Sequence, residues 1–567
     1  MADQNLFSGH IHSMEFQEEF QKYWHSQSDF KGTNLEVISK PFKVCRISNF
    51  LRDEKFIENL KSELEHHNHI RKVHDLYQFE RTEDLFYAND QCIQRLNRSF
   101  RDDLTSWMKR NTDIELNKKV SMSSARYFNT DYLLCHDDNM DDRRIAYILY
   151  LTDDWSEADG GALDLFDTDE EGSPRKVVKS LIPKFNSFLF FEVANNSYHQ
   201  VAEVLTDKKC RWSINGWFHG PLKKDFHKSP RCEPAKTFVQ PNSIEVKLLS
   251  WISDDYLEPS IMEQIQEEVE MSSYTFLKGF LKESIYQQIA NDLTSKDISW
   301  RMIGPADIRH YEIADEQTLP KVLKDFCDLF KSISFFRLLK EYTGLDLVPE
   351  EDKKPKMTLE LQRWSTGCYT LLYNRSLLKD TLDEPVKADQ SDVSIGDAAS
   401  RASTSKLNIN ETHQELKRKR LDDPPSPKGS SPNKKKVAKH LDGQSDGMHS
   451  SSNYEYDEDK VSLSPDELSR SGTPISDNED ESANKDDELL LDVIIQFHAQ
   501  DVKGTPKTED TIDFVDSDEQ EGILIQIPSR DNHLSLVYRS SMICRLQRYL
   551  NHFYDGYSYT FICTYYE

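Results

Sequence analysis

Apolar residues repeat along the chain with two different periods, and each period predicts a different kind of secondary structure. In the N-terminal part, Phe56, Ile57, Leu60 and Leu64 follow the 3.6-residue spacing of an amphipathic helix. After about Ser121 the pattern changes to short apolar runs separated by turn residues, which is typical of the strands of a β-sandwich or jelly roll. The runs that we expect to form strands cover residues 146–151, 162–166, 187–193 and 212–218.

A second region of regular patterning begins at about residue 240 and is interrupted before it ends. Helical spacing covers residues 261–271 and 276–293, and strand-like stretches cover residues 357–373, 534–538 and 557–566. The interruption, residues 376–488, is rich in Ser, Asp, Glu, Lys and Pro and nearly free of aromatic residues. Such a segment cannot bury enough apolar area to offset chain entropy, so we expect it to be a disordered insert.

These patterns predict a mainly β, α+β chain with two folded domains and flanking helices. We expect a flexible N-terminus over residues 1–35 and a first domain over residues 36–235. Residues 240–375 and 489–567 would form a second domain, which the insert at residues 376–488 interrupts. The length of 567 residues agrees with this division, because it exceeds what one hydrophobic core usually organises.

The composition limits the kinds of partner, metal site and cellular environment that we expect for these domains. The formal net charge of −28 disfavours direct binding to nucleic acid phosphates, which requires a dense set of Lys and Arg residues. The nine cysteines include no C-x-x-C pair, which argues against a disulfide framework and against a zinc site. No apolar stretch is long enough to span a bilayer and the N-terminus lacks the pattern of a signal peptide, so we expect no membrane association.

Two basic clusters in the insert indicate where the protein works. Residues 417–420 and 434–436 consist only of Lys and Arg, with the spacing of a bipartite nuclear localisation signal. A charge run in a solvated linker is the alternative interpretation. Scattered cysteines favour a reducing compartment. We therefore expect a protein of the nucleus and cytoplasm.

Three residues carry the strongest chemical signal. His136 and Asp138 are spaced by two, and residues i and i+2 of a β-strand point to the same face, so the imidazole and the carboxylate can converge on one point. His199, from a distant strand, completes a triad of two histidines and one carboxylate. This ligand set leaves open positions on one side of a metal and is typical of non-haem Fe(II) oxygenases.

Three further residues indicate 2-oxoglutarate as the co-substrate. Arg211 lies twelve residues after His199 and offers a planar guanidinium that matches the distal carboxylate of 2-oxoglutarate. Ser213 faces the same way on a strand and can add a hydroxyl donor, and Tyr150 can add a phenol. Each histidine taken alone is more often an ordinary packing residue. The joint pattern favours an Fe(II)- and 2-oxoglutarate-dependent dioxygenase.

Several longer segments around these residues resemble one family. They read LLCHDD at 133–138, RRIAYILYL at 143–151, FFEV at 190–193, HQV at 199–201 and GWFHGP at 216–221. This sequence is similar to the 2-oxoglutarate and iron-dependent oxygenase domain-containing prolyl 3-hydroxylases that act on a small-subunit ribosomal protein. The match is dense over about residues 35–225. It is looser in the C-terminal part, where it rests on residues 361–364, 369–371 and 534–539.

The resemblance implies two double-stranded β-helix (jelly-roll) domains in tandem. The first would be catalytic, with Fe(II) on His136, Asp138 and His199 and with 2-oxoglutarate on Tyr150, Arg211 and Ser213. The second would be a degenerate copy without metal, which agrees with the lack of an H-x-D motif after residues 369–371.

The same resemblance implies a reaction and its setting. The product would be a 3-hydroxyproline in the ribosomal protein, with an effect on translation and its stress response. Ascorbate would keep the iron reduced, and translation factors are further candidate partners.

Two other functions fit the residues and remain open. One is an oxygenase that acts on a different protein or on nucleic acid, although the acidic stretches at 137–142 and 167–171 disfavour nucleic acid. The other is a non-enzymatic adaptor for the ribosome or for translation factors. An adaptor would have no reason to retain Arg211 and Ser213 together with the triad.

Overall fold

The computed structural model describes residues 5–140, 142–221, 231–232, 236–350, 354–372, 378–379, 488–499, 510–516 and 522–567. These residues belong to one compact unit, Met1–Glu384 and Lys485–Glu567. The predicted insert and its two basic clusters lie outside the described residues, apart from residues 378–379 and 488. No described helix is both long and apolar enough to cross a membrane.

A 13-stranded antiparallel sheet organises the N-terminal half. Its strands are β1 (Phe30–Lys31), β2 (Leu35–Ile38), β3 (Val44–Ile47), β4 (Ile70–Val73), β5 (Tyr77–Arg81), β6 (Val120–Tyr127), β7 (Tyr132–His136), β8 (Arg143–Tyr150), β9 (Leu163–Thr168), β10 (Pro174–Leu181), β11 (Phe188–Glu192), β12 (His199–Val201) and β13 (Arg211–His219). They run in the order β1-β2-β3-β11-β8-β13-β6-β5-β7-β12-β9-β10, with β4 beside β5. Although β8 and β9 stand far apart in this order, Tyr150 packs in one buried cluster with Leu163 and Leu165, so the sheet folds over itself.

All four strands expected in this half are confirmed as β8, β9, β11 and β13. The packing around strand β8 explains why its sequence is a continuous apolar run rather than an alternating one. Ile145, Tyr147 and Leu149 pack into the core on one face of the sheet, while Ala146 and Tyr150 pack into a second cluster on the other. Both faces are therefore buried, as expected for an apolar run in the middle of a layered fold.

Helices cover one face of this sheet. They are α1 (Met14–Trp24), α2 (Glu54–Glu65), α3 (Gln91–Ser99) and α4 (Thr105–Thr112). The expected amphipathic helix is confirmed as α2, which the side chain of Asp53 caps by accepting from the amide of Lys55. The flexible N-terminus was expected over residues 1–35, and this prediction was wrong for the α1 segment, which buries Phe16, Phe20 and Trp24, spaced by four, against the sheet.

A second antiparallel sheet of eight strands and a smaller one of three organise the C-terminal half. The eight are β15 (Tyr274–Lys278), β16 (Trp300–Ile303), β17 (Arg309–Ala314), β18 (Lys356–Trp364), β19 (Tyr369–Thr370), β21 (Leu489–Phe497), β24 (His533–Ser540) and β26 (Ser558–Tyr566). The three are β22 (Thr511–Asp516), β23 (Ile523–Pro528) and β25 (Ile543–Gln547). Two short parallel segments, β14 (Arg231–Cys232) and β20 (Leu378–Lys379), pair separately.

Helices again cover one face of the larger sheet. They are α5 (Pro259–Ser272), α6 (Glu283–Leu293), α7 (Lys321–Lys331) and α8 (Ile333–Thr343). The helix expected at 261–271 is confirmed as α5, and strands expected at 534–538 and 557–566 are confirmed as β24 and β26. The helix expected at 276–293 is only partly correct. Its first residues belong to β15, which pairs with β24, and Gly279, at φ +63°, separates that strand from α6.

The strand-like stretch expected at 357–373 divides into β18 and β19 in the structure, and residue 373 lies outside the described part. Gly367, at φ +89°, lies in the turn between the two strands. The domain boundaries drawn from the sequence stay a prediction. Each half has its own hydrophobic core, yet the two halves are packed together in one compact unit.

The C-terminal half packs directly behind the strands that carry the histidines of interest. Tyr132 and Leu134 of β7 share a buried cluster with Tyr369 and Leu371. Two residues beyond β12, Glu203 accepts hydrogen bonds from the backbone amide of His552, the ring Nδ1 of His552 at 2.6 Å and the phenol of Tyr549 at 3.2 Å. These contacts fix the position of β7 and β12 relative to the rest of the molecule.

Candidate metal and co-substrate site

Strands β7 and β12 bring two histidines together. The strands are antiparallel neighbours, and their register places His199 directly opposite His136. The two imidazole rings have centroids 4.2 Å apart and are tilted by 52°. Cross-strand neighbours in an antiparallel pair have side chains on the same face, so both rings point to the same side of the sheet.

Asp138 reaches the same point by a route that differs from the one expected. The i, i+2 rule assumed a continuous strand, but β7 ends at His136 and Asp138 lies in the following loop with φ +59°. Aspartate tolerates this left-handed conformation better than most residues, because its short side chain can hydrogen-bond locally. The turn brings the Asp138 carboxylate to 3.6 Å from Nε2 of His136 and to 3.4 Å from Nε2 of His199. The predicted convergence is thus present, but the shared strand face that we expected for His136 and Asp138 is not.

Backbone carbonyls orient both imidazole rings. Nδ1 of His136 lies 2.8 Å from the carbonyl of Leu134, and Nδ1 of His199 lies 2.8 Å from the carbonyl of Ser197. A carbonyl can only accept, so each Nδ1 carries the proton and donates it. Each Nε2 then presents a lone pair toward Asp138. Metal-binding histidines are commonly held in this way by a second hydrogen bond on the opposite nitrogen.

The charge states of His136 and Asp138 suit a cation. Burial and the neighbouring His199 lower the pKa of His136 to about 4, so its ring is neutral at neutral pH. Burial alone would raise the pKa of Asp138. The adjacent imidazoles of His199 and His136 and the guanidinium of Arg143 instead hold this pKa well below its usual range. A deprotonated carboxylate therefore faces two imidazole lone pairs.

This donor set fits Fe(II). The three ligand atoms lie within 4.8 Å of one another, and in the described part of the chain they form the single cluster of histidine, cysteine or acidic side chains able to hold a metal ion. Two imidazoles and one carboxylate suit a non-haem Fe(II) centre with open coordination positions.

Arg211, at the first position of β13, is almost completely buried, with 1% of its surface exposed. Its Nε donates to the carbonyl of Gly161 at 2.7 Å, and its Nη2 lies 3.4 Å from the hydroxyl of Tyr150. The guanidinium also lies near the rings of Tyr127 and Tyr150, at 5.0 and 5.2 Å. Among the described residues no carboxylate forms an ion pair with Arg211, although a buried cation usually has a charged partner.

Ser213 and Tyr150 lie where the sequence pattern suggested. Ser213 is 1% exposed and is two residues from Arg211 on β13, so the two side chains share a face. The register of β8 and β13 places Tyr150 directly opposite Ser213. A guanidinium, a phenol and a hydroxyl are thus grouped as candidate donors to one carboxylate.

Sequence reasoning missed Arg143 and Trp217. Arg143 lies 3.6 Å from the Asp138 carboxylate and 3.7 Å above the indole of Trp217. Trp217 follows Arg211 and Ser213 at the same strand period, so alternation along β13 could have identified it. Arg143 begins the next strand after the Asp138 loop and gave no such signal. The remaining histidine of β13, His219, hydrogen-bonds Asp142 and Ser121 and does not join the triad.

Two family models match the chain. Residues 122–219 match the 2OG-Fe(II) oxygenase superfamily, and this range contains the triad and Arg211. Residues 244–394 match a family described as the oxoglutarate and iron-dependent oxygenase degradation C-terminal domain.

Several curated proteins are similar over more than half of the chain. Prolyl 3-hydroxylase OGFOD1 of Mus musculus is 40% identical over 334 residues, which cover 58% of this chain and 61% of the relative. The Xenopus laevis protein of the same name is 35% identical over 394 residues, covering 65% of this chain and 77% of the relative. Prolyl 3-hydroxylase sudestada1 of Drosophila melanogaster is 33% identical, with coverages of 60% and 65%. The chain therefore matches about three fifths of the length of the mouse relative.

Proposed function

The chain belongs to the family of the prolyl 3-hydroxylases within the 2OG-Fe(II) oxygenase superfamily, and on this premise we propose that it is a 2-oxoglutarate-dependent dioxygenase that hydroxylates proline in a protein. The observation that carries the proposal is the pairing of two features in one site. The cluster of two histidines and one aspartate is linked to β13 by Arg143, which lies 3.6 Å from Asp138 and 3.7 Å above the Trp217 ring. The same strand presents buried Arg211, which has no carboxylate partner among the described residues. That cation provides a place for an acidic co-substrate.

His136, Asp138 and His199 would hold Fe(II). When bound, the metal supplies the oxidising chemistry that couples decarboxylation of 2-oxoglutarate to hydroxylation of a C–H bond. The protein's part is to keep Nε2 of both imidazoles deprotonated and aimed inward through the carbonyls of Leu134 and Ser197. It also keeps the aspartate charged.

Arg211, Tyr150 and Ser213 would bind the distal carboxylate of 2-oxoglutarate. The guanidinium is held by the carbonyl of Gly161 and by the Tyr150 hydroxyl, so its direction is set before the ligand arrives. Burial removes competing water and strengthens the charge-assisted hydrogen bonds to a carboxylate. Removing the charge should weaken co-substrate binding without loss of the metal.

For the substrate and setting, we propose a proline of a small-subunit ribosomal protein, modified at C3 in the nucleus and cytoplasm with ascorbate as the reductant of iron. The resemblance of the sequence supports this substrate. The net charge of −28 also favours a basic partner over nucleic acid. The C-terminal half would be a degenerate jelly roll that supports the first, because in its described residues no second metal-binding cluster occurs.

The test is incubation of the full chain with Fe(II), 2-oxoglutarate, ascorbate and peptides that cover the prolines of small-subunit ribosomal proteins. Mass spectrometry should find one added oxygen atom on a proline, and amino-acid analysis should locate it at C3. The His136→Ala variant should give no product. Absence of both peptide oxidation and uncoupled 2-oxoglutarate turnover would reject the enzyme, whereas turnover with another protein alone would reject the ribosomal substrate.

A further inference from the structure

A loop with two successive glycines lies directly against the proposed co-substrate arginine. Gly160 and Gly161, between β8 and β9, both have left-handed φ angles, +71° and +63°. A Cβ atom at Gly161 would lie 2.9 Å from Cδ of Arg211 and 3.1 Å from the side chain of Val204, and one at Gly160 would overlap the carbonyl oxygen of Glu203. The loop is therefore packed between Arg211 and the residues that follow β12, and a side chain at either glycine would displace its neighbours.

Gly161 is held through both of its backbone polar groups. Its amide donates to the carbonyl of Glu203 at 2.9 Å, and its carbonyl accepts from Nε of Arg211 at 2.7 Å. The other hydrogen bond of the guanidinium, to the Tyr150 hydroxyl, is longer at 3.4 Å. The Gly161 carbonyl is thus the closer of the two groups that orient Arg211, and its position depends on the backbone of Glu203.

The side chain of the same glutamate is held from the C-terminal half. The Glu203 side chain is 5% exposed, and its carboxylate accepts from the amide of His552 at 3.0 Å, from Nδ1 of His552 at 2.6 Å and from the hydroxyl of Tyr549 at 3.2 Å. Several donors on one buried carboxylate leave the side chain little freedom. Glu203 therefore joins two sets of contacts, because its side chain binds the C-terminal half and its carbonyl binds the loop that holds Arg211.

We propose that Glu203 is a positioning residue through which the C-terminal half sets the affinity for 2-oxoglutarate. This inference rests on the proposed binding of the distal carboxylate of 2-oxoglutarate by Arg211. A guanidinium binds a carboxylate well only when its N–H groups point at the oxygens, so a small displacement of Gly161 weakens the pair.

The metal ligands should be less sensitive to the same displacement. His199 lies four residues before Glu203 on the same segment, but its own position is fixed by pairing with His136 of β7 on one side and with Leu165 of β9 on the other. Its ring is oriented by the carbonyl of Ser197. Loss of the Glu203 contacts should therefore change co-substrate binding much more than Fe(II) binding.

The test compares Glu203→Gln with a matched control, Glu63→Gln. Glutamine keeps the shape of the side chain, but it loses the charge and replaces one acceptor oxygen with an N–H donor, which would face the donors of the C-terminal half. Glu63 of α2 suits the control because its carboxylate also accepts from backbone amides, those of Cys92 and Ile93 at 2.9 and 3.0 Å. Neither of these amides belongs to the loop that holds Arg211.

The readout is binding rather than turnover. The full chain and each variant are titrated anaerobically with 2-oxoglutarate at saturating Fe(II), and with Fe(II) at saturating 2-oxoglutarate, through the absorption band of the iron chelate. We expect Glu203→Gln to raise the dissociation constant for 2-oxoglutarate about tenfold and that for Fe(II) by less than about twofold. Glu63→Gln should change neither. In the Arg211→Ala background, Glu203→Gln should add less than about twofold, because the residue through which it acts is gone.

An unchanged 2-oxoglutarate constant in Glu203→Gln, an equal rise in Glu63→Gln, an equal loss of Fe(II) affinity, or the full additional loss on top of Arg211→Ala would overturn the proposal. Should Glu203→Gln fail to fold, His552→Ala provides the second variant, because it removes the ring donor and keeps the amide donor. It must raise the 2-oxoglutarate constant about threefold, and only when Arg211 is present. If the unmodified chain forms no band with 2-oxoglutarate, the proposed function itself fails, and the inference fails with it.

Discussion

The two halves of the molecule share a layered plan and differ in the side chains that they enclose. Each has an antiparallel sheet with helices against one face and a polar site on the other. In the N-terminal half that site contains two imidazoles, one carboxylate and Arg211. In the C-terminal half it contains three arginines and the buried Asp492. In both halves the sheet fixes where the polar site lies, and a few side chains determine what that site can bind.

The two halves also differ in how many of their buried polar groups have hydrogen-bond or ion-pair partners within the protein. In the C-terminal half, Asp492 is bonded by Arg539 and Thr564, so most of its polar atoms have partners within the protein. In the N-terminal half, Nε2 of His136 and Nε2 of His199 lie 3.6 and 3.4 Å from the Asp138 carboxylate, which is longer than a normal hydrogen bond. Arg211 has no carboxylate partner in the described residues. Groups left in this state are suited to bind a metal and an acidic ligand.

The largest expected effect comes from removing a metal ligand in the N-terminal half. His136→Ala should reduce proline hydroxylation by about a thousandfold or more, because the remaining two ligands cannot hold Fe(II) in place. The matched change in the other half is His498→Ala, a partly buried histidine that bonds the carbonyl of Ala290. That control should retain activity within about twofold. Equal losses of activity in both variants, measured by mass spectrometry of the peptide, would contradict the assignment of the metal site to the N-terminal half.

The second effect separates co-substrate binding from metal binding. Arg211→Ala should raise the KM for 2-oxoglutarate about a hundredfold, because a buried charge-assisted pair is lost, and leave the Fe(II) requirement nearly unchanged. Arg545→Gln, in the C-terminal half, should alter neither quantity by more than about twofold. Steady-state kinetics at varied 2-oxoglutarate and varied Fe(II) provide both numbers. A parallel rise in both requirements for Arg211→Ala would contradict the role of this residue.

The third effect concerns the contact between the halves. Glu203→Ala leaves the amide and ring of His552 and the hydroxyl of Tyr549 without their buried acceptor, so we expect about 3 kcal/mol of destabilisation. The control is Glu312→Ala, which removes a partly exposed partner of Arg363 within one half and should cost about 1 kcal/mol or less. Denaturant unfolding measures both. A smaller loss for Glu203→Ala than for Glu312→Ala would mean that the halves are held together by other contacts.

The smallest effect should come from one hydroxyl. Ser213→Ala removes a single candidate donor to the distal carboxylate and should raise the KM for 2-oxoglutarate about fivefold. Ser535→Ala is a matched change in the C-terminal half, because this serine is also buried on a strand. It should leave that KM unchanged. No difference between the two serine variants would remove Ser213 from the site but leave the assignment of Arg211 intact.

Local periodicity was enough to identify most of the elements. The 3.6-residue spacing identified α2 and α5, and short apolar runs identified β8, β11 and β13. Periodicity failed where pairing with a distant strand determines the secondary structure of a segment. Residues 274–278 form β15 because β24 supplies a pairing edge, although their pattern also allowed a helix. Helix α1 carries a clear apolar period, and the flexible N-terminus was an error of interpretation.

The candidate site was predictable in composition but not in geometry. Residue type and spacing selected His136, Asp138 and His199, but no local rule could reveal the left-handed turn at Asp138. Arg143 approaches Trp217 across 74 positions, and His552 reaches Glu203 across 349. Such contacts depend on which strands become neighbours, and that information is not contained in the pattern of any one segment.

We propose that each chain has one site for iron and 2-oxoglutarate and that this site lies in the N-terminal half. Anaerobic titration of the full chain with Fe(II) in the presence of 2-oxoglutarate tests it directly, through the visible absorption band of the iron chelate. We expect a band that saturates at one Fe(II) per chain, is lost in His136→Ala and persists in His498→Ala. Saturation at two Fe(II) per chain, or an unchanged band in His136→Ala, would contradict it.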